Sequence, residues 1–241
     1  MYKMKKILLV IMLGFMGMSA WAQKFIVNDA NAEVRTITSF SAIEVSSAID
    51  LYISQSDEEA IAVSAKDVES RARIKIEVKN AVLKIWFDGK NWNWNSGDKK
   101  LKAYVSLKNI SALHASGASD IRVNGKLTLE TLKLNLSGAS DFKGEVALKT
   151  LDIHLSGASD ASIKGTATDL SVDANGASEL KGFDLITETC NATASGASSV
   201  KITVTKELNA RASGASDVHY TGEGVIKEQK SSGASNISKR G

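Results

Sequence analysis

A five-residue phrase, Ser-Gly-Ala-Ser-Asp, recurs through the second half of this 241-residue chain and limits the folds open to it. Full copies occupy residues 116–120, 137–141, 156–160 and 213–217, and looser copies occupy 175–179, 195–199 and 232–236. The spacings between their central glycines are 21, 19, 19, 20, 18 and 19 residues. A nearly fixed period of this length indicates a repeat architecture. These corner glycines are Gly117, Gly138, Gly157, Gly176, Gly196, Gly214 and Gly233.

The residues around each glycine alternate between apolar and polar. Leu132, Leu134 and Leu136 stand six, four and two positions before Gly138, with polar residues between them. A second apolar position follows four residues after each glycine, as Phe142 does here. This alternation predicts β-strands with one face in a core and the other in solvent.

About twenty residues in short strands cannot bury their own apolar face, so successive units must stack on one another. The fold class predicted is therefore all-β: a right-handed parallel β-helix, or β-solenoid, with coils of about 18–21 residues. A left-handed helix would show six-residue sub-periods, which are absent. A propeller blade would need roughly twice this period.

The start of the chain is typical of a secretory signal peptide. A basic segment with Lys3, Lys5 and Lys6 precedes an apolar run at 7–15, and Ala20-Trp21-Ala22 offers a small-x-small cleavage site. The alternative, a membrane anchor, requires roughly twenty continuous apolar residues. We therefore expect cleavage after Ala22 and an exported protein located in the periplasm, on the outer surface or outside the cell.

The remaining chain divides by regularity rather than by composition. We predict a lead-in segment at 23–38 and a single β-helical domain at 39–241. Irregular coils occupy 39–110 and include a loop at 88–100, and the regular repeats occupy 111–241. Only residues 66–71 suggest a helical turn.

Charge argues against a nucleic-acid partner. Without residues 1–22 the 30 basic residues fall by three to 27, which equals the 27 acidic residues. Such a chain has no overall field that would attract a polyanion. We predict no nucleic-acid partner and no transmembrane segment in the mature chain.

The single cysteine, Cys190, falls on an inward position of the repeat. It cannot form an internal disulfide, and we expect a small buried core residue rather than a reactive thiol.

An acidic column is the first candidate binding feature. Asp120, Asp141 and Asp160 stand three residues after successive glycines, and Glu179 follows them. Carboxylates about 4.8 Å apart repel, so a cation such as Ca²⁺ is one possible partner. The competing interpretation is a structural ladder, because a mostly basic column lies two positions further on. That column comprises Arg122, Lys143, Ser162, Lys181, Lys201 and His219.

Two tryptophans among asparagines, Trp92 and Trp94, are the second candidate. Exposed indoles bind sugar rings or anchor a protein partner. The alternative is that they cover an open end of the solenoid.

The sequence offers no catalytic site. His114 and His154 share an outward column, but a whole coil carrying Asn135 separates them, which is too far for one shared metal ion. No Gly-x-Ser-x-Gly elbow and no nucleotide-binding glycine loop occurs.

The motifs together resemble one known family. Phe-Ser-Ala-Ile-Glu-Val at 40–45, Lys-Ile-Trp-Phe at 84–87, the Asn/Trp loop and the repeated phrase are similar to the putative auto-transporter adhesin head GIN domain. The resemblance covers about residues 36–237. It implies a right-handed β-helix, export from a Bacteroidota-type bacterium and an adhesin-like role.

The leading functional hypothesis is a non-catalytic secreted or cell-envelope scaffold that binds a glycan or a protein surface. One alternative is a polysaccharide-processing enzyme, since other β-helices cleave acidic glycans, which is an argument from fold alone. Another is a structural or stress-related periplasmic protein without a ligand.

Overall fold

The computed structural model describes residues 27–90 and 100–240. Within these ranges one sheet of 16 strands winds into a β-solenoid of about seven turns. The parallel β-solenoid predicted from the repeats is confirmed. The predicted signal peptide at 1–22 lies outside the described residues.

The strands are short in the first half and long in the second. The elements are β1 Glu33–Arg35, β2 Ala42–Val45, β3 Asp50–Gln55, β4 Ala60–Ser64, α1 Val68–Ala72, β5 Ile74–Lys79, β6 Val82–Phe87, β7 Lys102–Leu107, β8 Ala112–Ala115, β9 Ile121–Leu136, β10 Asp141–Leu155, β11 Asp160–Ala174, β12 Glu179–Ala194, β13 Ser199–Gly214, β14 Asp217–Thr221, β15 Val225–Gly233 and β16 Asn236–Lys239.

Each repeated phrase forms a corner that stacks on the corner of the next coil. Gly157 has φ of +76°, and a Cβ there would lie 2.5 Å from the carbonyl oxygen of Gly138. Glycine adopts this backbone conformation without steric cost, and the close approach leaves no room for a side chain. The amide of Ala158 donates to the same oxygen at 2.7 Å. The hydroxyl of Ser159, a fully buried side chain, donates to the carbonyl of Ser156 at 2.9 Å. The corner thereby satisfies its own polar groups.

The core fills the inside of the coils and becomes narrower along the axis. Leu151, Ile153 and Leu155 of β10 are completely buried. Two coils later Cys190 and Ala192 occupy the same positions, because β10, β11 and β12 pair in parallel register. Cys190 is 1% exposed, which confirms the prediction of a core residue.

The first coil of the chain is not the first coil of the stack. Strand β2 pairs with both β6 and β8, and β3 pairs with both β7 and β9, all in parallel. The coil made by β2 and β3 therefore lies between the coil of β6 and β7 and the coil that starts at β8. The order of units in sequence did not predict this interleaving.

Antiparallel strands cover the end of the stack beyond β7. Strand β1, from the predicted lead-in segment, pairs with β4, and β4 pairs with β7. Strand β5 pairs with β6, also antiparallel. The helical turn suggested at 66–71 is present as α1, where Asp67 accepts a hydrogen bond from the amide of Ser70 at 2.7 Å. Among the described residues no helix has the length and apolarity needed to cross a membrane.

Candidate ligand groove

The acidic column predicted from the repeats is present and is longer than predicted. Parallel register places Asp141 beside Asp160, and Asp160 beside Glu179. The interleaved coil adds Asp50, because its neighbour Leu51 pairs with Ile121 of β9. The repeat alignment missed Asp50, since the coil that carries it lies outside the run of similar phrases.

The neighbouring basic column pairs with most of these carboxylates. Arg122 contacts Asp120 at 2.9 Å and Asp50 at 3.5 Å. Lys181 contacts Asp160 at 2.8 Å and Glu179 at 3.2 Å. The pairs Arg122–Asp50 and Lys181–Asp160 join neighbouring coils, and such cross-strand ion pairs replace mutual repulsion by attraction.

Among Asp50, Asp120, Asp141, Asp160 and Glu179, Asp141 is the exception. Burial raises the pKa of its carboxyl above the ordinary value, and the adjacent charges of Asp120 and Asp160 raise it further. Within residues 27–90 and 100–240 Asp141 makes no salt bridge. In the same ranges no three His, Cys, Asp or Glu side chains are arranged to hold a metal ion. The Ca²⁺ site on Asp120, Asp141 and Asp160 stays a prediction.

After its Ser-Gly-Ala-Ser corner each coil turns a second time, at 123–125 in β9 and at Gly144 in β10. These second turns differ in length from coil to coil. Between aligned positions, β9 has three residues, 123–125, where β10 has only Gly144. Strand β12 likewise has three residues, 182–184, where β11 has two. The two longer coils are those with glycine spacings of 21 and 20, and two coils of 19 lie between them. Two longer turns therefore flank two shorter ones.

A groove of about 880 Å³ lies over the shorter turns. Asn124 and Gly125 form one wall, and Phe183 and Asp184 contribute to the other. Its volume falls in the range of small-ligand sites, roughly 300–1,000 Å³. Bulged strands often lie beside binding sites. The cationic residues of the lining are Arg122, Lys143, Lys164, Lys181, Lys201 and Arg240, and its acidic residues are Glu145 and Asp184.

Some cationic side chains of the groove form salt bridges with carboxylates and others do not. Lys164 contacts Glu145 at 3.1 Å, and Lys126 contacts the same carboxylate at 2.9 Å. These two hydrogen bonds lower the pKa of Glu145. Lys143 and Arg240 have no carboxylate partner in the described part of the chain, and the Arg240 guanidinium stacks 5.0 Å from the Phe183 ring centre.

An aromatic pair continues the basic column toward the interleaved coil. The rings of Tyr52 and Tyr104 stack at 5.2 Å, and Arg122 lies 5.8 Å from the centre of the Tyr52 ring. The Tyr104 hydroxyl donates to Asp29 at 2.8 Å. Burial, followed by this hydrogen bond, raises the pKa of Tyr104. The pair lies next to the groove on the same face.

The other predicted candidates lie away from the groove or outside the described residues. Asn135 lies between His114 and His154 in register, as predicted, and its amide donates to His114 Nδ1 at 2.9 Å. Trp92 and Trp94 fall within residues 91–99, which the structure does not describe. Their binding role stays a prediction.

Comparisons with known proteins agree with this architecture. A family model described as "putative auto-transporter adhesin, head GIN domain" matches residues 39–224. A putative adhesin from Bacteroides fragilis NCTC 9343 superposes with a TM-score of 0.80 at 18% identity, covering 87% of this chain and 96% of that one. The comparison with curated proteins gives no match.

Two further structures come from Parabacteroides distasonis ATCC 8503. A putative adhesin gives a TM-score of 0.71 at 18% identity, covering 87% of this chain and 96% of that one. A putative lipid binding protein gives 0.68 at 20% identity, covering 88% and 98%. At these identities the likeness shows a shared fold.

Proposed function

The chain belongs to the putative auto-transporter adhesin, head GIN domain family, and from this premise we propose that it is an exported, non-catalytic scaffold that binds a glycan or a protein surface. The groove over the short second turns is the observation that carries the proposal. It is a concave site of ligand size on a rigid stack of coils, where exposed turns are free to carry binding residues.

The chemistry of the groove favours binding over glycoside hydrolysis. A glycoside hydrolase pairs a carboxylate with a carboxylic acid whose pKa is raised, and Asp141, whose carboxyl has a raised pKa, is not among the residues that line the groove. Glu145 of the groove has a lowered pKa, because Lys126 and Lys164 stabilise its charged form. His114, His154 and His219 are not among the described residues that line it. Activity assays on a panel of polyuronates and host glycans test the enzymatic alternative. Turnover of any of these substrates would support an enzyme and contradict a non-catalytic role.

The proposal is tested by filling the groove. Ser162 is a half-buried lining residue on β11, and Ser171 is an exposed residue further along the same strand. We expect Ser162→Trp to reduce binding to glycan arrays and to cell-surface extracts at least tenfold, whereas Ser171→Trp preserves it. Equal binding by the wild type and both variants would remove the groove from the function.

Two parts of the proposal need their own measurements. Trp92→Ala/Trp94→Ala in the same assay tests the binding role predicted for these indoles, and unchanged binding would contradict it. Proteolysis of intact cells tests the location: cleavage indicates surface display, and protection indicates the periplasm. A periplasmic protein that binds no ligand would favour the structural alternative.

A further inference from the structure

We propose that the groove selects an anionic oligosaccharide, one that bears carboxylate or sulfate groups on some of its sugar units. This inference rests on the proposed function and names the ligand class of the same groove. It is carried by the distribution of charge in the lining and by the shape that the unequal turns create.

The lining of the groove has an excess of positive charge that the chain as a whole lacks. Six cationic and two acidic side chains line the groove, although basic and acidic residues are equal in number over residues 23–241. Arg122, Lys181 and Lys201 form ion pairs with carboxylates of the acidic column, which lies beside the groove rather than in its lining. Lys143 and Arg240 remain without a carboxylate partner in the described ranges, and Lys164 shares Glu145 with Lys126. The groove thus offers a ligand cations that the protein itself leaves uncompensated.

The acidic column limits how much negative charge the ligand can carry. Asp141 stands two residues before Lys143 on the same face of β10, and no salt bridge among the described residues neutralises it. A densely charged polyanion such as a nucleic acid would meet this column along its length. A sparsely charged chain can place its anionic groups toward Lys143 and Arg240 and keep them away from Asp141. Charge patterning of this kind gives specificity more than affinity.

The shape and the remaining lining suit sugar rings. The walls at β9 and β12 are three strand spacings apart, roughly 14 Å. The Arg240 guanidinium lies 5.0 Å from the centre of the Phe183 ring, and both residues line the groove, so an aromatic ring and a cation stand together there. The exposed amide of Asn124 and the hydroxyl of Ser162 line the same groove and can donate to and accept from sugar hydroxyls. An aromatic face, a cation and uncharged hydrogen-bonding groups in one groove favour an acidic sugar over an acidic peptide.

The test uses matched probes that differ mainly in charge. A four-unit oligogalacturonate is compared with its methyl ester, and a sulfated tetrasaccharide with its desulfated form, by calorimetric titration of the full chain. We expect at least one acidic probe to bind tenfold or more tightly than its neutral counterpart. Added salt should weaken that binding.

Two sets of variants locate the binding. Lys143→Gln/Arg240→Gln should lower affinity for the acidic probe at least tenfold. The matched control Lys79→Gln/Lys149→Gln removes the same charge from exposed positions outside the lining and should change affinity less than twofold. Asp141→Asn should raise affinity about two- to threefold, because it removes the repulsive carboxylate. Thermal unfolding of each variant verifies that the fold is intact.

The outcomes separate this inference from the proposed function. Neutral and acidic probes could bind equally well, with both losing affinity in Ser162→Trp. That result would overturn the anionic selectivity and leave the binding function in place. Equal losses in the groove and control variants would overturn it as well, since general charge would then explain the binding. Capture of acidic peptides but not of any acidic glycan would also overturn it. If the protein binds no glycan and no cell-surface component, the proposed function falls too.

Discussion

Arg122 Nη1 lies 3.5 Å from Asp50 Oδ1, although the two residues belong to coils that are separated in sequence by a third one. The contact exists because β3 lies between β7 and β9 in the sheet. The same insertion buries Leu51, whose amide donates to the carbonyl of Asp120 at 2.7 Å. The interleaved coil therefore supports the neighbouring coils on both of its sides.

Removing core volume from the interleaved coil should be costly. Leu51 is fully buried, and its coil has a neighbour on each side. We expect Leu51→Ala to lower the free energy of unfolding by about 2–5 kcal/mol, as large-to-small core substitutions do. Ile237→Ala is the control, because Ile237 belongs to β16, which among the described strands pairs with β14 alone. Urea unfolding should show a smaller loss there, and equal losses would contradict the supporting role of the inserted coil.

Two glycines of the second turns should differ sharply in their tolerance of a side chain. Gly165 has φ of +113°, and a Cβ would lie 2.0 Å from the carbonyl oxygen of Val146. Gly125 has φ of +84° but no atom within 4 Å of an added Cβ. We expect Gly125→Ala to cost about 1–3 kcal/mol for its backbone conformation. Gly165→Ala should cost about 1–3 kcal/mol more, because it also overpacks the stack.

The comparison is made by urea unfolding of both variants beside the wild type. Similar losses of stability would show that the neighbouring coil yields to the added methyl group. The stacking of second turns would then be looser than the distance at Val146 indicates.

The sequence was sufficient to predict the parts of the fold that repeat. Alternation around each glycine correctly predicted the buried positions, including Cys190, and the two outward columns of opposite charge. Both follow from local patterns that every coil repeats. The position of Asp50 could not be predicted in this way, because alternation within a coil does not specify which coil lies beside it.

The groove could be predicted from the sequence only in part. The glycine spacings of 21 and 20 residues on either side of two spacings of 19 indicate that two coils are longer than those between them. Those numbers do not say which turn of the coil receives the additional residues. The position of the additional residues depends on the register between neighbouring strands. Because the corners and the core strands stay in register, the additional residues lie in the second turn, at 123–125 and 182–184.

The single thiol should be inert while the protein is folded. Burial raises the pKa of Cys190 to about 12, so very little thiolate is present near neutral pH. We expect no reaction with a disulfide reagent at pH 8 over hours, and one equivalent upon addition of denaturant. Rapid labelling under native conditions would mean that the Ala-rich coils around Cys190 open locally.

Asp141 should destabilise the protein at neutral pH. Its pKa is raised in the folded state, first by burial and then by the charges of Asp120 and Asp160. A raised carboxyl pKa means that folding disfavours the charged form, so the penalty is present above the folded pKa and disappears as the pH falls toward the ordinary value of 3.8. Asp141→Asn should therefore raise stability at pH 7, by up to about 1 kcal/mol given solvent screening. Parallel register continues the column from Glu179 through Ser199 and Asp217 to Asn236, so an asparagine already stands in it.

Glu179→Gln provides the opposite control on the same column. Burial acts to raise the pKa of Glu179, but the hydrogen bonds from Lys201 and Lys181 outweigh it, so the folded pKa is lowered. Its contribution to stability is therefore present above the ordinary value of 4.5 and is lost as the pH falls through the folded pKa.

Denaturant titrations between pH 3 and 7 should show Asp141→Asn more stable than the wild type and Glu179→Gln less stable at neutral pH. Both differences should shrink in acid, because protonation of the wild-type carboxyls removes the charge that each variant lacks. A loss of stability in both variants at pH 7 would show that the uncompensated charge of Asp141 is not a source of strain in the column.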